Sequence, residues 1–271
     1  MSDRISATIG LAPSAALTVE QVRSVHHWNE HLFSFTTTRP QSFRFRSGEF
    51  VLLGLPGEGR PLLRAYSIAS PAWGEELEFR SIKVTDGPLT SRLQQVRPGD
   101  ELFLGRKPTG TLVTDALLPG KRLFMFATGT GLAPFMSLAR DPDVYDLFSQ
   151  IVLVHSVRRV SDLAYRSELE AQLAGDPLVQ DQALLQFSYV PTVTREAFPM
   201  GKRIGAMIDD GSLFTPAIAG PRRLDPETDR VMMCGSMDMI REMSAQLETL
   251  GFREGSNAAP GDYVIERAFV G

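Results

Sequence analysis

Phe124 to Arg140 reads FMFATGTGLAPFMSLAR. An apolar run meets Gly129-Thr130-Gly131 and passes into a helix-like pattern. Glycines there let the chain turn tightly and let a ligand approach the backbone. The third glycine of the G-x-G-x-x-G dinucleotide fingerprint is missing, and Pro134 stands in its place. Proline in a first helical turn costs little, since its absent N–H would have lacked a partner. The stretch predicts a helix N-terminus with free amides, suited to a pyrophosphate. Taken alone it is a weak signal, because a plain strand-to-helix connection looks much the same.

Two further groups of residues bear on chemistry. Arginines follow the predicted strands downstream: Val157-Arg158-Arg159, then Thr194-Arg195, then Arg203. Strand C-terminal ends line the ligand crevice of parallel sheets. A NAD site usually carries an acidic residue after its second strand, whereas arginines there can grip a dianionic phosphate. The pattern favours NADP over NAD, against the plain alternative of solvated surface arginines. The second group lies upstream, in RAYSIAS and KVTDGPLTSRL. Side-chain period two puts Arg64 and Tyr66 on one face and Ser67 on the other. A planar aromatic beside a phosphate-gripping cation suits a flavin, and Gly87 to Thr90 predicts a second anion-binding helix start. Barrel packing and an ordinary helix cap are the plain alternatives.

Different elements must position the two groups. From Leu17 to about Val113, six short, often alternating strands are separated by RSGE, PGEGR, SPAWG and RPGD, with one helix-like break at GPLTSRLQQV. That spacing predicts an antiparallel barrel or sandwich. From Lys121 the strands RLFMFAT, QIVLVHS, ALLQFSYV and RVMMCGS are near-continuous apolar runs, as expected where both faces are covered. Helices are predicted over 132–140, 162–173 and 238–250, which makes a doubly wound parallel sheet. The expected organisation is a flexible extension over 1–16, a barrel over 17–113 and an α/β unit over 114–271.

Composition narrows the class. The chain has 271 residues and a net charge of -4, so no global nucleic-acid footprint is expected. No apolar run reaches the ~18 residues of a membrane helix. Cys234 is the single cysteine, so no internal disulfide and no cysteine-based metal cluster can form, which fits a reducing, cytoplasmic setting. His26, His27 and His31 lack a fixed helical spacing, so a metal site is not expected. Met232, Met233, Met237 and Met239 read as core filler.

The motifs RAYS, GPLTSRL, ATGTGLAPF, VMMCGS and the tail YVIERAFVG occur in this order. Together they resemble the plant-type ferredoxin–NADP reductase superfamily, specifically its bacterial ferredoxin/flavodoxin–NADP reductases, from about Val19 to the C-terminus. The resemblance implies an N-terminal antiparallel FAD barrel and a C-terminal NADP domain whose tail lies over the flavin. By resemblance, Arg64 holds the FAD pyrophosphate, Tyr66 packs on the isoalloxazine and Ser67 lies near flavin N5, with Ala65 between them. Ile82, Lys83 and Val84 line the FAD, and Pro88, Leu89 and Thr90 support its pyrophosphate. Thr130 and Gly131 sit between flavin and nicotinamide. Arg158, Thr194, Arg195 and Arg203 match the 2′-phosphate site, and Val157 is a further NADP-binding position. Cys234, Gly235 and Ser236 match the nicotinamide side, and Asp238 is a further NADP-binding position. Two positions depart from the broader pattern. Arg80 stands where relatives often have an aromatic residue, and Ala268 stands where plant members end in a tyrosine, followed by Phe269, Val270 and Gly271.

The implied reaction is hydride transfer between NADP(H) and FAD, then single-electron exchange with ferredoxin or flavodoxin. Ser67, Cys234, Glu266 and Ala268 are the expected catalytic positions, and Phe269 is expected to pack on the FAD adenine. Cys234 could otherwise be a buried hydrophobe, and Glu266 a surface carboxylate of the last strand. The expected acting unit is a monomer. The rival readings are a free-flavin or quinone reductase on the same fold, and a non-catalytic flavin redox sensor.

Overall fold

The structure is a computed structural model that describes residues 11–84 and 86–267. All six strands expected in the first half are present: β1 (Leu17–His27), β2 (Leu32–Thr37), β3 (Phe50–Leu55), β4 (Leu62–Ser67), β5 (Leu77–Ile82) and β6 (Glu101–Gly105). They pair antiparallel in the order β4-β3-β6-β1-β2-β5. A bridge between Ile68 and Phe79 brings the two ends together, so the sheet is a nearly closed barrel. Alternation sends Phe33, Phe35, Val51, Leu53, Phe79, Leu102 and Leu104 inward to one core. The one-turn helix α1 (Thr90–Leu93) adds Leu89 and Leu93 to that core.

The second sheet is parallel throughout, in the order β11-β10-β7-β8-β9. Its strands are β7 (Arg122–Thr128), β8 (Gln150–Val157), β9 (Phe187–Val193), β10 (Asp229–Gly235) and β11 (Tyr263–Arg267). Parallel strands need crossovers, here carrying α2 (Ala133–Ala139), α3 (Pro142–Leu147), α4 (Arg166–Glu170), α5 (Gln180–Gln186), α6 (Ile204–Asp209) and α7 (Met237–Thr249). Each face therefore has its own core. Leu123, Met125 and Ala127 of β7 pack to one side, and Phe124 and Phe126 to the other. Met232, Met233 and Met239 fill these cores as expected, whereas Met237, in the first turn of α7, is only half-buried and belongs to neither. At the foot of the sheet, Arg122 and Asp229 form a buried pair at 2.6 Å, and Arg122 also donates to the carbonyls of Ala219, Pro221 and Arg223.

Two expected elements differ. ALLQFSYV is not one strand: Ala183 to Gln186 end α5, and the strand begins at Phe187. Leu184 and Leu185 face solvent on that helix, so an apolar run did not mean cover on both faces. The helix expected over 162–173 shortens to α4, because Tyr165 before it and Gln172 and Leu173 after it take positive φ values of 61°, 50° and 57°. Among the described residues no helix is long and apolar enough to cross a membrane.

Candidate functional site

The C-terminal ends of β7, β10 and β11 face the end of β4. After β7 the chain makes a 3-10 turn over Gly129–Leu132 and enters α2. Gly129 has φ of 53°, the left-handed region that favours glycine. A Cβ on Gly131 would lie 2.2 Å from the Cys234 carbonyl oxygen, so only glycine lets this turn rest on β10. Thr128 completes the contact, its Oγ1 accepting the Ser236 N–H at 2.8 Å. A Cβ on Gly235 would sit 2.0 Å from that same Oγ1. Two helix starts, that of the Gly129–Leu132 turn and that of α7, thus lie side by side. Ser236 caps α7 by accepting the Met239 N–H at 3.3 Å. Asp238 is exposed in the first turn, where its charge favours the helix but disfavours a phosphate at the same spot.

Ser67, Cys234 and Glu266 come together from three strands. Cys234 and Glu266 are register partners in the β10–β11 pair. Ser67 Oγ donates to Glu266 Oε1 at 3.3 Å across the boundary between the two sheets. Glu266 is only 6% exposed, so the alternative of a surface carboxylate does not hold. Its Oε2 is buried with no hydrogen-bond partner. Burial pushes its pKa up to about 7, and the Ser67 hydrogen bond only partly offsets that. Burial and the neighbouring Glu266 hold the Cys234 thiol well above its ordinary pKa. Cys234 is therefore a neutral thiol and not a nucleophile.

On the barrel side the residues are less uniform than the motif suggested. Arg64 is half-buried, and its Nη1 donates to the Leu63 carbonyl at 2.9 Å. Among the described residues its side chain has no carboxylate partner. Tyr66 lies in the barrel core, 8% exposed, with its hydroxyl 3.3 Å from Ser81 Oγ and its ring edge-on to Phe79. It has little open ring surface to offer a flavin. Ala65 is half-buried beside it. Ile82 is 37% exposed, Lys83 donates through Nζ to the Asn29 carbonyl at 2.6 Å, and Val84 is half-buried. Pro88 is exposed, Leu89 is buried in the barrel core, and Thr90 Oγ1 reaches the Val84 carbonyl at 3.5 Å. With Leu89 pointing inward, only its backbone can serve a ligand.

The 2′-phosphate candidates gather at the ends of β8 and β9. Val157 ends β8 and is buried, whereas Arg158, Thr194, Arg195 and Arg203 are exposed. Thr194 N–H donates to the Val157 carbonyl and Arg195 N–H to the Arg158 carbonyl, each at 3.0 Å. These bonds set Arg158 and Arg195 next to each other. Arg203 caps α6 with extended backbone. None of the three arginines joins an ion pair among the described residues, so all three are available to an anion.

Both nucleotides fit these surroundings. A buried orphan carboxyl oxygen beside a hydroxyl and a thiol suits a flavin edge, an uncommitted arginine at Arg64 suits its pyrophosphate, and three uncommitted arginines suit an extra phosphate. The motif reading missed Thr128, which joins the two glycine turns, and Thr111, whose Oγ1 donates to the Ile265 carbonyl at 2.6 Å beside Glu266. Thr128 adjoins Gly129 and could have been found there; Thr111 carries no sequence signal. The expected roles of Ala268 and Phe269 lie outside the described residues.

Known proteins share this arrangement. The family described as the oxidoreductase NAD-binding domain matches residues 125–245. A flavodoxin/ferredoxin–NADP reductase of Rhodobacter capsulatus is 50% identical over 97% of this chain and 98% of its own. A ferredoxin–NADP reductase of Azotobacter vinelandii is 52% identical over 94% of this chain and 98% of its own. A crystal structure of a ferredoxin–NADP reductase from Neisseria gonorrhoeae, with bound FAD and NADP, aligns at a TM-score of 0.85 and 31% identity, covering 94% of this chain and all of that one. With barrel, parallel sheet and glycine turns all in place, the chain belongs to the bacterial ferredoxin/flavodoxin–NADP reductase family.

Proposed function

We propose that this chain catalyses hydride exchange between NADP(H) and bound FAD, and passes electrons singly to or from a ferredoxin or flavodoxin. The observation that carries the reading is the meeting of Ser67, Glu266 and Cys234 beside the Thr130-Gly131 turn. FAD, when bound, supplies the hydride and one-electron chemistry. The protein supplies positioning and electrostatics.

Arg158, Arg195 and Arg203 would grip the 2′-phosphate and so select NADP over NAD. Thr130, Gly131 and Gly235 would present backbone, and Ser236 its hydroxyl, to the rest of the dinucleotide, the Ser236 N–H being held by Thr128. Arg64, with the backbone of Pro88 to Thr90, would hold the FAD pyrophosphate, and Ile82 to Val84 would line the flavin. Glu266, its pKa raised by burial to about 7, accepts the Ser67 hydroxyl hydrogen and can take up or release a proton near neutral pH. Cys234 stays protonated and fills the nicotinamide side without competing as a nucleophile. Both nucleotide sites are drawn from one chain, which fits a monomer as the acting unit. A single unbridged cysteine suits the cytoplasm.

The test is anaerobic. NADPH and NADH are added separately to the FAD-loaded protein, and the visible flavin spectrum is followed. NADPH should bleach it much faster than NADH. Electrons should then reach ferredoxin or flavodoxin faster than free flavin or a quinone. No bleaching by either nucleotide would favour a redox sensor, and equal rates with free flavin would favour a free-flavin reductase.

A further inference from the structure

Two buried ionisable side chains stand outside the machinery described so far. Arg80, on β5 of the barrel, is 3% exposed. Its Nη2 donates to the Asp162 carbonyl at 3.3 Å, and its guanidinium carbon lies 5.8 Å from the centre of the Tyr165 ring. Its Nε and Nη1 have no hydrogen-bond partner, and it joins no ion pair among the described residues. His155, on β8, is fully buried. Its Nε2 lies 3.3 Å from the Gly129 carbonyl oxygen, and its Nδ1 lies 3.3 Å from the Tyr189 hydroxyl.

These contacts assign the protons. A carbonyl can only accept, so Nε2 carries the hydrogen. In a neutral ring Nδ1 is then an acceptor, and the Tyr189 hydroxyl must donate to it. The ring is neutral because burial, reinforced by the charge of Arg80, lowers its pKa to about 3. The bond to Gly129 has a backbone consequence. In a trans peptide the C=O and the next N–H point opposite ways. Tying the Gly129 carbonyl down to His155 therefore turns the Thr130 N–H away from the buried ring. Thr130 is in the first turn of its helix, where an N–H has no intrahelical acceptor. Gly129, in the left-handed region, has more backbone freedom to reorient that peptide than any other residue would, with only the 3-10 turn to resist it.

We propose that His155 is a positioning residue for the pyridine-nucleotide turn: its Nε2–H, kept in that tautomer by Tyr189, fixes the Gly129–Thr130 peptide so that the Thr130 amide is presented to the dinucleotide. This rests on the reading of Gly129 to Gly131 as that turn. Arg80 extends the arrangement across the molecule. It comes from the strand that ends at Ile82 on the flavin side, and it keeps an uncompensated cation close to His155.

The experiment compares three variants of the FAD-loaded protein by NADP+ titration, read as the flavin difference spectrum, with FAD content as the control. His155→Phe keeps the ring shape but cannot donate. NADP+ binding should weaken roughly tenfold, as loss of one hydrogen bond worth about 1.4 kcal/mol predicts. His155→Gln can donate to the carbonyl and accept from Tyr189, and should stay within about threefold of the parent by the same arithmetic. FAD content should not change in either. NADP+ affinity within about twofold of the parent in His155→Phe, or equal losses in both variants together with lost FAD, would overturn the proposal. If His155→Phe does not yield folded protein, Tyr189→Phe carries the test through nitrogen NMR of the histidine ring. The Nε2–H tautomer should lose its dominance and NADP+ binding should weaken, and no change in either would count against it. Thr130→Trp checks the underlying reading. If it leaves NADP+ binding intact, the dinucleotide does not lie on this turn. If it blocks binding while His155→Phe does not, only the role of His155 fails.

Discussion

Replacing Glu266 by glutamine should stabilise the protein increasingly as pH rises. The Glu266 carboxyl is buried, lacks a partner for Oε2, and has its pKa raised from 4.5 to about 7. The folded state therefore binds this proton more tightly than the unfolded state does. Between those two values the native protein carries more protons, so stability falls as pH rises. A gap of about 2.5 units at 1.36 kcal/mol each gives about 3 kcal/mol in all. Roughly 1 kcal/mol of it is already lost at pH 5 and nearly all by pH 8. Glutamine has no charge to bury, so the difference between variant and parent should widen by about 2–3 kcal/mol over that range. The assay is urea unfolding of parent and Glu266→Gln at pH 5, 6, 7 and 8, with free FAD held constant. A change in FAD affinity adds an offset, but the slope reports Glu266. A difference that stays constant, or narrows as pH rises, would refute the reasoning. The same variant should slow hydride transfer at neutral pH and flatten its pH profile.

Three further outcomes follow from named contacts. Arg195→Ala should raise the NADPH Michaelis constant by roughly tenfold or more and leave NADH almost unchanged, because only the 2′-phosphate loses a charged partner; equal losses with both nucleotides would defeat the assignment. Asp229→Ala strands Arg122 without its buried carboxylate and should cost about 3–5 kcal/mol in urea unfolding, against little effect from the exposed pair Arg166–Glu170. Gly131→Ala puts a methyl group 2.2 Å from the Cys234 carbonyl, so the turn must move off β10. NADP+ affinity should fall by roughly tenfold while FAD content holds, read by the same difference spectra.

Much of the fold was legible in the sequence because side-chain periodicity is local. Six short strands with turn residues between them gave the barrel, and near-continuous apolar runs gave the parallel sheet, since strands covered on both faces need no alternation. The rule failed where an apolar run lay at the surface, as with Leu184 and Leu185, and where positive φ values ended α4 early. The glycine turn after β7 and the arginines at the strand ends were also legible, because backbone freedom and charge at a strand end do not depend on distant neighbours. The burial of Tyr66 in the barrel core was not, since alternation says which residues share a face but not which face is inside. Glu266 could be read only as a position in the last strand. Its raised pKa, its bond to Ser67 and its place against Cys234 depend on residues far apart in the chain, which only the docking of barrel and sheet brings together. The same holds for Arg80 and His155. Arg80 stood out only as a departure from the family pattern and His155 not at all, and the low-dielectric boundary between the two sheets turns one into a buried cation without an ion pair among the described residues and the other into a fixed neutral donor.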